Sequence, residues 1–185
     1  MNKFTDYFSP EKDIIKEKFN TIPYMDVWIC NIIEGYIYEN VSKVGKYGYK
    51  EEYKTRYGKR EGEYKIWHSN GKIKRQEYYK EGEKEGEFKD WYDNGQLWSQ
   101  CYFKDGKREG EYKEWHPNGQ LRIQKQFKEG KLEGEYIWWN DNGQLWFQKY
   151  YKEGKLDGEY KEWNNQGELY AHKIYTGGEV IKNIL

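Results

Sequence analysis

Aromatic and aliphatic residues recur along this chain with a period of 24 residues, and charged residues fill most of the positions between them. The segment 130–153, GKLEGEYIWWNDNGQLWFQKYYKE, shows the pattern in full, and similar segments open at Gly58, Gly82, Gly106 and Gly154. Periods of about 20 to 50 residues are typical of arrays, because a unit that cannot bury its apolar face alone stacks on its neighbours. The pattern therefore predicts five stacked repeats over residues 58–177.

Each repeat is predicted to form a β-hairpin. An aromatic residue follows the Gly-Glu pair in every copy, a tryptophan follows three residues later, and a second aromatic lies near the end of the repeat. These positions hold Tyr64, Phe88, Tyr112, Tyr136 and Tyr160, then Trp67, Trp91, Trp115, Trp139 and Trp163, then Tyr79, Phe103, Phe127, Tyr151 and Tyr175. Such residues favour strands, and glycines recur too often for helices.

Two dipeptides that contain glycine separate the strands. Asn142-Gly143 lies between two aromatic-rich runs, which indicates a two-residue type I′ turn because both residues tolerate a positive φ. The Glu-Gly, Asp-Gly or Thr-Gly pair at the junction with the next repeat, as in Glu153-Gly154, is predicted to form a second turn of this kind. Two turns per repeat give a continuous antiparallel meander.

The strand register of the fourth repeat follows if both loops have two residues. One face then carries Trp138 opposite Phe147, Asn140 opposite Leu145 and Gly134 opposite Tyr151, together with Tyr136. The other face carries Trp139 opposite Trp146, Ile137 opposite Gln148 and Glu135 opposite Tyr150. Each repeat is displaced by two residues against the last, which keeps equivalent positions on one face. We expect the first face to be the more buried, and a bulge at either turn would exchange part of the assignment.

The flanking segments predict caps for the array. Ser9-Pro10 is typical of a helix start, so residues 10–19 are predicted to form a short helix within an N-terminal helical cap, residues 1–23. Residues 24–57 repeat parts of the motif after an apolar segment, which indicates a degenerate capping repeat, and residues 178–185 predict a C-terminal strand or partial repeat. The predicted fold is all-β, an elongated single antiparallel sheet of tandem β-hairpin repeats with a short N-terminal helical cap.

Charge and composition narrow the function classes. The 32 basic residues balance 32 acidic ones, so the chain has no bulk field that would attract nucleic acid or anionic lipid. Cys30 and Cys101 have no metal-binding or redox spacing and are expected to be reduced thiols. Neither an apolar run of membrane-spanning length nor a signal-peptide core is found, so we expect a cytoplasmic protein, in the host cytoplasm if it is viral.

The motif Gly-Lys-x-x-Gly-Glu-Tyr-x-x-Trp-x-x-Asn-Gly-x-Leu, as in residues 106–121, resembles the MORN-repeat variant. This variant is found in bacterial antitoxin or immunity partners and in large DNA viruses, and the resemblance covers roughly two thirds of the chain. The resemblance implies an elongated sheet of hairpins that serves as a scaffold or binding surface. It implies no catalytic residue, because the catalytic domains of enzymes with MORN repeats lie outside the repeats.

The repeat pattern also disfavours catalysis. An active site needs unlike residues at one point, whereas an array places like residues in rows. His68 and His116 occupy equivalent positions two repeats apart, about 19 Å at the usual strand spacing, so they cannot share a metal ion within the chain. We expect no catalytic residue, no metal and no cofactor. The glutamates Glu63, Glu87, Glu111, Glu135 and Glu159, with lysines two residues later in four copies, predict a solvated face; a charge-reading site is the alternative.

Aromatic residues outside the shared pattern are the candidate site. Trp98, Trp138, Trp146, Phe147, Tyr92 and Tyr102 occur in some copies and not in others. The fold does not require them in every repeat, so they indicate a partner-binding patch in the second to fourth repeats, since tryptophan and tyrosine are common interface anchors. The alternative is that they merely cover neighbouring glycines and lysine stems.

The leading functional hypothesis is a non-enzymatic protein–protein interaction module, either a scaffold or an antitoxin-like or immunity-like binding protein. The alternatives are a protein that binds membrane lipid surfaces and a purely structural protein that self-associates through its last strand. Binding of single-stranded nucleic acid by aromatic stacking is disfavoured because the chain lacks net positive charge. The sequence does not identify the partner.

Overall fold

The computed structural model describes the backbone of residues 29–33, 36–45 and 48–185, and the side chains from Tyr38 onward within these ranges. The described residues form one antiparallel sheet of 14 strands whose order in the sheet is their order in the chain. The strands are β1 (Ile29–Ile33), β2 (Tyr36–Val44), β3 (Lys50–Arg56), β4 (Lys59–Trp67), β5 (Ile73–Lys80), β6 (Glu83–Trp91), β7 (Leu97–Lys104), β8 (Lys107–Trp115), β9 (Leu121–Lys128), β10 (Lys131–Trp139), β11 (Leu145–Lys152), β12 (Lys155–Trp163), β13 (Leu169–Thr176) and β14 (Glu179–Asn183). The predicted all-β sheet of tandem hairpins is confirmed.

The N-terminal helical cap predicted over residues 1–23 lies outside the described residues, as does most of the apolar segment that precedes β1. Within residues 24–57, the described part contains β1, β2 and β3, which pair in sequence as the later strands do. At the other end, β14 pairs with β13 after a Gly177-Gly178 turn in which both residues have a positive φ. The described sheet therefore continues beyond the five repeats on both sides.

The Asn-Gly loops differ from the predicted type I′ turns. In the fourth repeat, Gly143 N donates to Asn140 O at 3.0 Å and Asn140 N donates to Gln144 O at 2.8 Å. Gly143 has a positive φ, whereas Asn142 is not among the residues with a positive φ. This is a three-residue loop, a type I turn closed by a glycine bulge. Asn140 therefore does not oppose Leu145; Trp139 does.

A one-residue bulge beside this loop restores the predicted register for the rest of the hairpin. Trp139 pairs with Leu145, but the next pair is Trp138 with Phe147, so Trp146 is the extra residue. From there Ile137 opposes Gln148, Glu135 opposes Tyr150 and Gly134 opposes Tyr151, as predicted. The prediction that Trp139 opposes Trp146 is wrong, because the longer loop shifts the strand by one residue before the bulge compensates.

The loops between repeats are the type I′ turns of this fold. Glu129 and Gly130 have φ values of 51° and 82°, and Lys128 pairs with Lys131 across them. The equivalent residues 57–58, 81–82, 105–106 and 153–154 have the same signs of φ. This second turn prediction is confirmed for the Glu-Gly and Asp-Gly pairs and is wrong for Thr176-Gly177, because Thr176 pairs with Glu179 and the turn is Gly177-Gly178.

A wider bulge follows each type I′ turn and removes the predicted displacement between repeats. In β10, Leu132 pairs with Phe127 and the next pair is Tyr136 with Lys125, so Gly134 and its neighbours occupy an expanded stretch opposite a single residue. Gly134 has a φ of 80°, a conformation that costs glycine little. The bulge absorbs two residues, so equivalent positions of successive repeats lie in straight rows across the sheet. The displacement of two residues per repeat was wrong for this reason.

Hydrogen bonds from side chains to the turns link successive repeats at both ends of the strands. Glu129 N donates to Glu109 Oε2 at 2.7 Å, and equivalent acidic residues accept from the turn amides of the other repeats. At the other end of the strands, Asn118 Oδ1 accepts from Gln120 N. The Nδ2 of Asn118 donates to Asp141 O in the next repeat at 3.0 Å. The first glutamate of the Glu-Gly-Glu motif and the turn asparagine are thus structural residues.

Candidate protein-binding surface

The sheet has two unlike faces. The face that carries the shared aromatic residues Tyr64, Phe88, Tyr112, Tyr136 and Tyr160 is called the aromatic face, and the opposite one, with Glu63 and its equivalents, the Glu–Gln face. The buried hydrophobic residues of the five repeats are Tyr64, Tyr79, Cys101, Tyr112, Ile123 and Phe147, and all lie on the aromatic face. The expectation that this face is the more buried one is confirmed.

On the Glu–Gln face, charges are neutralised within each strand. Lys113 Nζ lies 2.7 Å from Glu111 Oε2, and Lys65, Lys89 and Lys161 form the same pair with the glutamate two residues before them. Gln124 Nε2 donates to Glu111 Oε1 at 2.7 Å from the neighbouring strand. The charged and amide side chains of this face are half-exposed, which agrees with the prediction that the glutamate rows form a solvated face.

A central row of the aromatic face alternates aromatic rings with repeat-specific residues. Register places Tyr64, Glu77 and Phe88 side by side, and later Tyr112, Lys125, Tyr136, Lys149, Tyr160 and Lys173. Cys101 lies between Phe88 and Tyr112 in this row. Burial raises the pKa of the Cys101 thiol, which is 4 % exposed. The residue between successive rings thus changes from acidic or neutral to basic along the array.

In the first two repeats, the charges of this face pair with one another. Glu77 is 4 % exposed and accepts from Tyr79 Oη and from Lys84 Nζ, both at 2.7 Å. Asp90, also 4 % exposed, accepts from Arg75 Nε and Nη2, each at 2.7 Å. Buried carboxylates persist where such donors satisfy them. Both buried carboxylates of this half of the face are thus paired with basic residues, and Arg60 donates to the Tyr79 hydroxyl.

In the later repeats, basic residues also lie on aromatic rings but form no ion pairs. Lys125 Nζ is 4.3 Å from the ring centroid of Tyr112 and 5.2 Å from that of Tyr136, and Lys149 Nζ is 3.8 Å from Phe147. The Arg108 guanidinium lies 5.5 Å from Tyr112 and Phe127. Desolvation lowers the pKa of Lys125 and Lys149, and the charges of Glu114 and Glu162 offset only part of this effect.

Repeat-specific apolar residues come together in the centre of the aromatic face. Ile123 pairs with Trp138, and Trp138 pairs with Phe147. The ring centroids of Trp138 and Phe147 are 5.2 Å apart in an edge-to-face arrangement, and those of Trp138 and Trp146 are 6.1 Å apart. Trp146 therefore lies with the aromatic face, and its predicted place on the other face is wrong because the bulge turns it over.

Five of the six candidate residues lie on or beside this face, and one does not. Phe147 is 6 % exposed and forms the floor of the cluster, whereas Trp98 is 38 % exposed. Tyr92 places its ring 6.2 Å from that of Trp98 and donates its hydroxyl to Trp115 O. Tyr102, 47 % exposed, opposes Glu87 on the Glu–Gln face and is separated from the others.

Arg122 and Ile123 belong to the same surface and were not among the candidates. Arg122 lies 5.8 Å from the ring of Trp138, and Ile123 is buried beside it. Both residues vary between repeats, as the aromatic candidates do, and this variation is the signal in the sequence that identifies them. The central aromatic patch is defined here as Trp98, Arg122, Ile123, Trp138, Trp146 and Phe147.

The histidines are engaged in the fold. His68 Nε2 donates to Trp91 O and His116 Nε2 donates to Trp139 O, each at 3.0 Å, because a carbonyl can only accept. His172 Nε2 lies 3.3 Å from Glu159 Oε1 on the Glu–Gln face. Among the described residues, no three His, Cys, Asp or Glu side chains are grouped to hold a metal ion. The described part of the chain also contains no helix long and apolar enough to cross a membrane.

A single antiparallel sheet built from in-phase hairpins, with turn residues bound from one repeat to the next, defines a β-hairpin repeat protein. The family model of the MORN repeat variant matches residues 60–81, 84–105, 108–129 and 132–153. The chain belongs to the MORN repeat variant family, and as a repeat protein it has a binding or structural role. No curated protein matches the chain.

Proposed function

We propose that this chain is a non-enzymatic protein-binding module and that the central aromatic patch is its contact surface. The observation that carries the proposal is the clustering of repeat-specific Trp138 and Trp146 on one face, over a floor of Ile123 and Phe147, with Trp98 at the position equivalent to Trp146 two repeats earlier. A buried floor with half-exposed tryptophans and an arginine beside it is typical of interface hot spots. An inhibitor of the antitoxin or immunity type would use such a surface to cover its target.

The arrangement of reactive groups favours binding over catalysis. Cys101 is buried and its pKa is raised, which disfavours the thiolate that a nucleophile needs. His68 and His116 each use Nε2 to bind a backbone carbonyl. These groups lie in different rows of the sheet and do not converge with a nucleophile, a base and an orienting group.

Affinity purification of the tagged chain from its native cells, followed by mass spectrometry, tests the proposal. We expect one stoichiometric protein, and we expect Trp98→Ala with Trp146→Ala to abolish its recovery. Tyr102→Ala is the matched control, because Tyr102 is an exposed aromatic residue of the same region on the opposite face. Equal recovery with the double variant, at unchanged circular dichroism, would remove the patch as the contact surface.

Self-association is the second candidate function, and the last strand favours it. All five residues of β14 are exposed, and Val180 and Ile181 are apolar. An exposed apolar edge strand can pair with another chain. Recovery of the chain with no protein except further copies of itself, together with dimers in analytical ultracentrifugation, would support this function instead. Co-sedimentation with anionic vesicles would support the lipid-binding alternative.

A further inference from the structure

Basic residues outnumber acidic ones on the aromatic face of the third to fifth repeats. Register and ring contacts place Arg108, Arg122, Lys125, Lys149 and Lys173 on this part of the face, with Glu114 and Glu162 between them. The two glutamates accept hydrogen bonds from the hydroxyls of Tyr112 and Tyr160. Within the described part of the chain, none of the five basic residues forms an ion pair, in which a side-chain nitrogen would lie within 4.0 Å of a carboxylate oxygen.

The rest of the sheet shows that this excess is local. On the same face, Lys84 and Arg75 of the first two repeats pair with the buried carboxylates of Glu77 and Asp90, and Arg60 donates to the Tyr79 hydroxyl without an ion pair. On the Glu–Gln face of the same later repeats, Lys113 and Lys161 pair with the glutamates of their own strands. The chain as a whole has zero formal net charge. Five of the cations on this face without an ion pair therefore lie around the central aromatic patch, and one, Arg60, lies in the first repeat.

Half-burial of these cations makes their lack of ion pairs more significant. Lys125 and Lys149 lie against aromatic rings and have lost part of their water, while the rings offset a fraction of that cost. A carboxylate delivered by a partner would pair with an ammonium that is already desolvated and held in place. Such pre-organised, complementary charge raises specificity and the rate of association.

We propose that the partner binds through an acidic segment, whose carboxylates pair with Arg108, Lys125 and Lys149 while an adjacent apolar side chain rests on Trp138 and Trp146. This inference rests on the proposed function, and it specifies the chemistry of the partner. Arg108, Lys125 and Lys149 lie on β8, β9 and β11, a span of three strand spacings, or about 14 Å. An extended peptide of about five residues covers this distance.

A polypeptide fits this surface better than a single-stranded nucleic acid. Tyr112 and Phe147 are buried beneath the basic residues, so their ring faces are not open to stacking bases. Glu114 and Glu162 interrupt the positive charge and would repel a continuous phosphate backbone, whereas a peptide can place neutral residues opposite them. The apolar centre at Ile123 and Trp138 fits an aliphatic side chain.

The test uses a fluorescein-labelled synthetic peptide of about ten residues, in which glutamates flank two central leucines, and fluorescence anisotropy at low and physiological salt. We expect the wild-type chain to bind it, and the double variant Lys125→Gln, Lys149→Gln to lose about tenfold or more in affinity. The matched control is Lys113→Gln, Lys161→Gln, which removes the same charge from the Glu–Gln face and is expected to change affinity less than about twofold.

Three results would overturn the inference. They are equal losses in the two double variants, tighter binding of an oligothymidine probe than of the peptide, and no binding of the peptide at low salt. Circular dichroism and urea unfolding of both double variants exclude loss of folding as the cause. If recovery of a protein partner depends on Trp98 and Trp146 but not on Lys125 and Lys149, the proposed function stands and the inference of an acidic segment is wrong.

Discussion

Glu77 and Asp90 are buried although the described residues form a single sheet without a second layer to cover them. Their partners come from neighbouring strands of the same face: Lys84 and Tyr79 for Glu77, and Arg75 for Asp90. The long stems of lysine and arginine cover the aromatic rings while their charged ends satisfy the carboxylates. The side chains of this face therefore provide both the apolar cover and the electrostatic pairing that a second layer gives in other folds.

Removal of the Glu77 carboxylate should destabilise the chain far more than removal of an exposed one. Glu77→Ala leaves Lys84 and the Tyr79 hydroxyl without their acceptor in a buried site, so we expect a loss of about 2 kcal/mol in the free energy of unfolding. Glu87→Ala breaks an equivalent ion pair with Lys89, but the Glu87 side chain is 45 % exposed, and the expected loss is below about 0.5 kcal/mol. Urea unfolding followed by tryptophan fluorescence measures both values, and similar losses would contradict the assignment of Glu77 as a structural residue.

The tyrosines of the central row should make the fold sensitive to alkali. Burial raises the pKa of Tyr64, Tyr112 and Tyr160 above the ordinary value, and the hydrogen bond that each hydroxyl donates to a carboxylate adds to the effect. A phenol with a raised pKa in the folded state contributes stability that is complete below its unfolded pKa of about 10 and is lost as pH rises above it. We expect the free energy of unfolding to decrease above about pH 10.

Substitution by phenylalanine isolates this contribution. Lys125 and Lys149 have a lowered pKa and act with the opposite sign, since their penalty is relieved as pH rises, but they are present in both proteins. The double variant Tyr112→Phe, Tyr160→Phe should therefore show a shallower loss of stability between about pH 9 and pH 11 than the wild type. Parallel curves would show that these hydroxyls do not govern the alkaline limit.

At the scale of the hairpin, the Glu-Gly-Glu bulge sets the register of the whole array. A Cβ added at Gly110 would meet no atom within 4 Å, and φ is 73° there, so Gly110→Ala tests the backbone conformation alone. At Gly158, φ is 121° and an added Cβ would lie 3.0 Å from Tyr150 Cβ, so the same substitution adds a steric clash between two backbone-anchored atoms. The two glycines thus offer a matched pair.

We expect Gly110→Ala to reduce the free energy of unfolding by about 1 kcal/mol, and Gly158→Ala to reduce it by at least about twice as much. Gly110→Asn should cost less than Gly110→Ala, because asparagine tolerates a positive φ better. Thermal unfolding by circular dichroism gives the order of the three variants. A larger loss for Gly110→Ala than for Gly158→Ala would contradict the bulge geometry.

The sequence predicted the hairpins and most of their register, but not the loops that produce it. Trp138 opposite Phe147 and Ile137 opposite Gln148 followed from alternation along the strands, and the structure has these pairs. The three-residue Asn-Gly loop was missed because its glycine bulge and the extra residue Trp146 together restore the register that a two-residue loop would give. The face of Trp146, and with it the central aromatic patch, depended on that bulge and could not be assigned from alternation.

The straight rows could not be predicted for a related reason. Gly134 was visible as a glycine common to all repeats, but a glycine within a strand is compatible with a bulge, a close contact or a bend. Nothing in the residue types shows that the bulge absorbs two residues, and this number decides whether Lys125 lies beside Tyr136. The alternation of rings and basic residues therefore emerged only with the three-dimensional register.

At the scale of the whole molecule, each strand of the described sheet packs chiefly on the strands next to it in the chain. Stability in such an array is approximately a sum of repeat and nearest-neighbour terms. Equivalent positions also line up without displacement from repeat to repeat. Removal of a complete repeat should therefore change contacts only at the new junction.

Deletion of residues 130–153 should give a folded, shorter sheet. The deletion joins Glu129 to Gly154, which recreates a Glu-Gly type I′ turn and places Tyr160 where Tyr136 pairs with Lys125. We expect a cooperative unfolding transition and a strand signal in circular dichroism, with loss of binding through Trp138 and Trp146. Deletion of residues 130–141, about half a repeat, leaves β9 followed by the wrong turn and should abolish cooperative unfolding. If the variant that lacks residues 130–153 does not fold, distant repeats depend on each other.

Because successive repeats are not displaced against each other, the number of repeats can change during evolution. Gain or loss of one whole coding unit lengthens or shortens the sheet by two strand spacings, about 10 Å, and leaves the side chains away from the junction facing the same neighbours. The size of the recognition surface can thus vary in fixed steps, while its composition varies separately at the positions between the rings. Recombination between copies of the gene segment would then produce proteins of different reach that keep the same fold.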